Sequence, residues 1–228
     1  MWKKTVLAFF LVGLAGMASL SSLAQQLPIS VSLHTLAITN GGKFVLKYKP
    51  NRSTVYPNIA ELANRSDLII VGKTIGHRSS LRADGRFITE DYFVKVQELL
   101  KGSLSTNRLP NGTSPSNRSI HVSLPGGAYR FPDGAIAAVL PVGEKAAEDG
   151  HVYVFFLKAK PAVSVYNGYL LASETQGLFA LTNGVVDPAD AVVKDPVVVK
   201  YFGMRAADFL REIHKAIPPI IPGGGIIP

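Results

Sequence analysis

Three Asx-Gly pairs, Asp84-Gly85, Asn167-Gly168 and Asn183-Gly184, each stand between two short apolar runs. Asx-Gly supplies the positive φ angles that a two-residue hairpin turn demands, so each pair predicts two antiparallel strands. The segment from Ser66 to Gly102 carries this signal most fully. Leu68-Ile69-Ile70-Val71-Gly72 is a β-branched run, and Tyr92, Val94 and Val96 alternate with Phe93, Lys95 and Gln97 at the period of a half-buried strand. The two runs are expected to pair across Arg82 to Arg86 and to act as the template for later strands.

Those strands follow at short intervals. Ile120, Val122 and Leu124 alternate with polar residues before Pro125-Gly126-Gly127, and Ala128 to Phe131 and Ala135 to Leu140 flank Pro132-Asp133-Gly134. A polar connection, Pro141 to Gly150, leads to His151 to Leu157, apolar on both faces and therefore predicted to be central in a sheet. Val163 to Tyr166 and Tyr169 to Ala172 flank Asn167-Gly168, and Gly177 to Leu181 and Val185-Val186 flank Asn183-Gly184. Helical spacing is limited to two stretches. Thr54 to Asn64 has Pro57 suited to a first turn, and Arg205 to Ile217 carries a stripe of Ala206, Phe209 or Leu210, Ile213 and Ile217. Alternation at Ile29, Val31 and Leu33 before Asn40-Gly41-Gly42 and Phe44 to Tyr48 predicts an N-terminal hairpin. A mainly β chain with so few helices is expected to form an antiparallel barrel or sandwich, since a doubly wound α/β fold needs helices between its strands.

The N-terminus reads as a secretory signal: Lys3-Lys4, an apolar core from Val6 to Ala15, then Ser22-Leu23-Ala24. Cleavage there predicts a mature chain from Gln25. The expected organisation is a signal peptide over 1–24, an N-terminal extension or hairpin over 25–53, a β-barrel domain over 54–187, a C-terminal segment with a docked helix over 188–217 and a flexible tail over 218–228. The expected location is periplasmic or extracellular. There is no cysteine, so thiol chemistry, thiolate metal sites and disulfides are excluded and stability must come from the core. The net charge of +8 falls to +6 when Lys3 and Lys4 leave with the signal, which favours anionic surfaces.

Five short motifs run in order through Leu62 to Phe179. They are Ser66-Asp67-Leu68-Ile69-Ile70-Val71-Gly72, Leu100-Lys101-Gly102, Pro125-Gly126-Gly127, Tyr153-Val154-Phe155-Phe156-Leu157 and Gln176-Gly177-Leu178-Phe179. Their order resembles a group of uncharacterised bacterial exported proteins similar in layout to the OB-type barrel of netrin-like and tissue-inhibitor-of-metalloproteinases-like domains. The resemblance implies a mainly β fold, an antiparallel OB-like β-barrel with a short helix on its N-terminal side and a C-terminal helix. Inhibitors of that superfamily reach a catalytic zinc through an N-terminal cysteine. This chain has none, so only cysteine-independent protease inhibition would be open to it.

Catalytic motifs are missing: no Gly-x-Ser-x-Gly elbow, no phosphate loop and no histidine pair at zinc-protease spacing. His34, His77, His121, His151 and His214 are widely separated, and neither a metal nor a cofactor is implied. Acids such as Glu90-Asp91 point to opposite faces of a strand, so a hydrolase would need acids that converge only in three dimensions. Such an extracytoplasmic hydrolase is the alternative to a non-enzymatic protein that binds a protein or an anionic envelope polymer through its loops. The binding residues expected on that reading are His77, Arg78, Arg82 and Arg86 in the Gly76 to Arg86 turn, with Arg108 and Arg118 in the Ser103 to Ser119 loop. OB-type barrels present aromatic and basic residues on one face, which makes Tyr92, Phe93, Lys95, Tyr129 and Arg130 candidates, although core packing explains the aromatics more simply. Export argues against nucleic acid as the partner.

Overall fold

The computed structural model describes residues 31–50, 55–104, 118–160, 168–173, 176–189 and 195–217. The expected signal segment, the expected flexible tail, most of the Ser103 to Ser119 loop and the strand expected over Val163 to Tyr166 lie outside them. The described elements are α1 (Leu33–Thr39), β1 (Lys43–Tyr48), α2 (Ile59–Arg65), β2 (Leu68–Leu81), β3 (Ile88–Lys101), β4 (Ser119–Pro125) and β5 (Gly127–Arg130). They continue with β6 (Ile136–Pro141), β7 (Val152–Ala159), β8 (Tyr169–Leu171), β9 (Leu178–Thr182), β10 (Val185–Pro188), α3 (Pro196–Tyr201) and α4 (Ala206–Ala216). The fold is mainly β, in two sheets, with a C-terminal helix.

The larger sheet has the order β10-β9-β7-β2-β3-β4-β8, and β8 is also bonded to β7. Strands β2 and β3 pair antiparallel across the Asp84-Gly85 turn, as their sequence predicts, but over 14 residues each and with three register shifts. Such bulges bend and twist a ribbon, which lets one hairpin contribute to more than one core. The smaller sheet is β1-β6-β5. Its β5–β6 hairpin turns at Pro132-Asp133-Gly134, and the chain crosses into it from β4 through Gly126, whose φ of 114° suits glycine.

Pairing is not wholly antiparallel as predicted: β1 pairs parallel with β6 and β4 parallel with β8. Parallel neighbours need a long crossover, and in both cases other strands of the fold supply it. The expected N-terminal hairpin is likewise replaced. Leu33 opens a helix instead of ending a strand, because Ser32 Oγ accepts the Thr35 N–H at 3.1 Å and Leu33 and Ala37 then bury together one turn apart. Pro57 precedes the α2 cap, Asn58, whose side chain accepts the Glu61 N–H at 2.9 Å. The valine run 197–199 is helical because Asp195 accepts the N–H groups of Val197 and Val198 and Pro196 pre-sets the first turn.

Three cores result. Alternate residues of β2, β3, β4 and β7, among them Ile70, Tyr92, Val94, Val122 and Phe155, point inward to the first. The opposite face of β2, β7 and β9, with Ile69, Val154, Phe156 and Phe179, packs under Leu62, Tyr201, Phe209 and Ile213 of the helices. This explains why β7 is apolar on both faces. The third core joins α1 to the smaller sheet through Leu33, Ala37, Phe131, Ala137 and Val139. Among the described residues no helix is long and apolar enough to cross a membrane.

Three of the five motifs hold structural couplings. Lys101 Nζ donates to the carbonyls of Ala63 (2.7 Å), Asn64 (3.2 Å) and Ser66 (2.8 Å), closing the C-terminal end of α2. Gly102 follows because a Cβ there would stand 2.4 Å from the Asp67 carbonyl oxygen. Gln176, 1% exposed, exchanges hydrogen bonds with both backbone groups of Tyr56 at 2.6 and 2.9 Å. Asp67 accepts the Ala159 N–H at 3.0 Å. Replacing Lys101 by Met should destabilise the protein by about 2 kcal/mol, since hydrogen bonds to charged groups contribute roughly 1.5–3 kcal/mol. Gly102→Ala should be at least as damaging. Urea unfolding midpoints check both, and an unchanged midpoint in Lys101→Met would show the helix closure to be dispensable.

Candidate functional site

Because β3 buries Tyr92, Val94 and Val96, the residues between them face away from the core. Strand β4 buries Ile120, Val122 and Leu124 and turns His121 and Ser123 to the same outer side. The registers with β2 and β4 then lay out three rows across the sheet. Arg78, Asp91 and Ser123 form the first, Gly76, Phe93 and His121 the second, and Lys73, Lys95 and Ser119 the third.

The middle row is an aromatic seat. The His121 ring meets Phe93 edge-on at 4.7 Å and 83°, while on the other side Gly76 presents bare backbone, where a Cβ would lie 3.9 Å from the Phe93 ring. The β2 register shift between Thr74 and Gly76 leaves Ile75 unpaired with β3 and 55% exposed, adding an apolar side chain to this part of β2. Burial lowers the His121 pKa, with Lys160 and Arg78 pushing the same way and Asp91 opposing them.

The first row is a closed polar network. Ser123 donates to Asp91, accepts from Lys160 Nζ at 2.7 Å and is 4% exposed, and Ser80 contacts Asp91 at 3.4 Å. Serine beside lysine invites a nucleophile reading, but this hydroxyl is buried and its proton is given to a carboxylate. The network ties β3 and β4 to the end of β7.

The third row is different. Lys73 and Lys95 stand directly opposite each other, both exposed, and among the described residues neither they nor Arg78 enters an ion pair. Like charges placed directly opposite across two strands are destabilising by a few tenths of a kcal/mol to about 1 kcal/mol, an arrangement with no structural gain. With the rise of roughly 3.4 Å per residue in a strand, the lysine row and Arg78 lie about 14 Å apart, with Phe93 midway.

The residues expected from sequence scatter around this face. Arg78 belongs to it. His77 lies on the opposite side of β2, its Nδ1 3.0 Å from Asp149 and its Nε2 4.0 Å from Glu90. Arg82 pairs with Asp84 at 3.5 Å, and the turn is docked on α1, the Leu33 N–H donating to the Gly85 carbonyl at 2.8 Å. Arg86 is exposed at the same tip, and Arg118 is exposed at the start of β4. Arg108 lies outside the described residues. Of the barrel-face candidates, Tyr92 is core at 2% exposure and Tyr129 packs on Phe131, away from Phe93 and Lys95. Lys73, Ile75 and His121 were missed, yet the parity of the β3 alternation already separates Phe93 from Tyr92. Among the described residues no three His, Asp or Glu side chains group as metal ligands do.

Compared with known proteins, the chain matches no family model and no curated sequence. Function has to be read from the geometry.

Because the folded state lowers the His121 pKa, the unfolded chain takes up its proton first as the pH falls. Stability from this group is complete above about 6.5 and is lost as pH falls through the folded value. Urea midpoints at about pH 7.5 and about pH 5 should therefore differ more in the native protein than in His121→Gln. Equal differences would remove His121 from the acid response.

Proposed function

We propose that this is an exported, non-enzymatic binding protein whose outer β2-β3-β4 face takes an extended anionic polymer of the cell envelope. The observation that carries the reading is the trio Lys73, Lys95 and Arg78, exposed and outside any ion pair among the described residues, set around the Phe93 seat. Cations about 14 Å apart with a flat apolar contact between them suit a chain with repeated charges better than one small anion. Two features of the sequence support the setting: the secretory pattern at the N-terminus and the basic balance left after its removal.

We further read the larger sheet as a barrel of OB type. The cyclic run of pairings, β7 to β2 to β3 to β4 to β8 and back to β7, supports a five-stranded Greek-key barrel. In such barrels the face of the second and third strands is a usual ligand surface, and here those strands are β3 and β4. The reading moves the binding site from the loops to the sheet. A hydrolase whose acids converge in three dimensions is the alternative; a serine nucleophile at Ser123 finds less support, because that hydroxyl is enclosed in the Asp91 network.

The test uses heparin and polygalacturonate as anionic probes and dextran as the neutral control. Both polyanions should bind, dextran should not, and affinity should fall as salt rises, because exposed charge attractions are screened. Replacing Lys73, Arg78 and Lys95 together by Ser should weaken binding by about tenfold or more and flatten the salt dependence. Polyanion affinity that survives the triple replacement unchanged would sink the reading.

A further inference from the structure

On the other side of β3 from Phe93 lies a cleft of about 250 Å³ between the larger sheet and the β5–β6 hairpin. Its walls are mainly apolar, with Leu124, Val139, Leu171 and Leu178 among them, and Glu90 and Tyr92 line it together. We propose that this cleft binds a small organic cation, a primary amine on a short apolar body, through the Glu90 carboxylate.

The placement of Glu90 is specific. Tyr92 donates to its Oε2 at 2.7 Å, Ser79 contacts Oε1 at 3.4 Å, and His77 Nε2 stands 4.0 Å away. Gly127 makes room for it, since a Cβ there would come within 3.0 Å of Glu90 Oε1 and 2.9 Å of Ser79 Oγ. An ionised carboxylate has about four acceptor sites, and the one short bond from Tyr92 fills one of them. Setting a carboxylate against aliphatic walls is costly unless a cation or further donors meet it. Tyr92 cannot itself become an anion there: burial, reinforced by Glu90, pushes its pKa far up, so it stays a proton donor.

The charge of the remaining lining points the same way. The ammonium of Lys145, a cation on the wall, is held by Asp187 at 2.6 and 2.7 Å rather than by Glu90. A cationic head near Glu90 is therefore complementary, and an anionic one is repelled. The cleft volume is below the roughly 300–1,000 Å³ usual for drug-sized ligands, which restricts the body to a few carbons. His77, clamped between Asp149 and Glu90, marks the polar end of the site.

Hexylammonium, hexanol and hexanoate share one body and differ in the head, so titrating each into the ¹⁵N-labelled chain tests the charge directly. Hexylammonium should shift the amides of Ala128, Val139 and Ala146 and bind about tenfold or more tighter than hexanol, with hexanoate weaker still. Glu90→Gln keeps an acceptor for Tyr92 and should erase the preference for the ammonium. Ala146→Phe, placed at an exposed position of the lining, should block all three probes while thermal unfolding stays as in the native chain. The outer-face replacements should leave hexylammonium binding intact, which keeps this site separate from the polymer face. Equal affinity for the three heads, no binding of any of them, or undiminished ammonium preference in Glu90→Gln would overturn the proposal.

Discussion

Everything in this protein leans on the antiparallel pairing of β2 with β3. An isolated two-stranded ribbon is marginal in water, so the pair persists because its faces are buried by different partners along its length. Near Leu68 to Val71, β2 has the inward core on one side and the helices on the other. Toward Leu81 and Ile88 the same ribbon supports α1 and the smaller sheet. The register shifts make this possible, because a flat ribbon could not serve three cores.

That arrangement also decides where ligands can reach the sheet. The helices α2, α3 and α4 cover the outer face over Ile69, Val71, Val154, Phe156, Phe179 and Val186. Beyond Val71 the exposed residues of β2 include Lys73, Ile75 and Arg78, and among the described residues no helix packs on the sheet there. The alternation of β3 then assigns neighbouring residues to separate tasks: Glu90 and Tyr92 to the inner cleft, Asp91, Phe93 and Lys95 to the outer face. One strand thus separates the cleft lined by Glu90 from the face that carries Lys73 and Lys95. The backbone between them keeps the two apart.

The helical side is fastened by both packing and charge. Phe179, Phe209 and Tyr201 form a chain of ring contacts at 5.0 and 4.9 Å. Glu212 accepts from Lys200 at 2.7 Å and from Tyr201 at 2.8 Å, joining α3 to α4, and these donors hold its carboxyl below the ordinary range. Ion pairs this exposed contribute little individually, so the buried rings carry most of the attachment.

By itself the sequence determined the hairpins at Asp84-Gly85 and Asn183-Gly184, the central position of β7 and the stripe of α4. Each of these is a local signal: an Asx-Gly turn, a run apolar on both faces, a 3.6-residue period. It also determined which β3 residues share a face, because a strand has no other choice than to alternate. It did not determine α1, where a serine cap outweighed two-residue alternation, nor the parallel pairings of β1 with β6 and β4 with β8. Those depend on partners more than 40 residues away, and no local pattern encodes which strand fills an open edge. The candidate sites fall in the same class. Lys73 with Lys95, and Phe93 with His121, become neighbours only through register. The side on which the helices dock then decides which of these neighbours meet solvent.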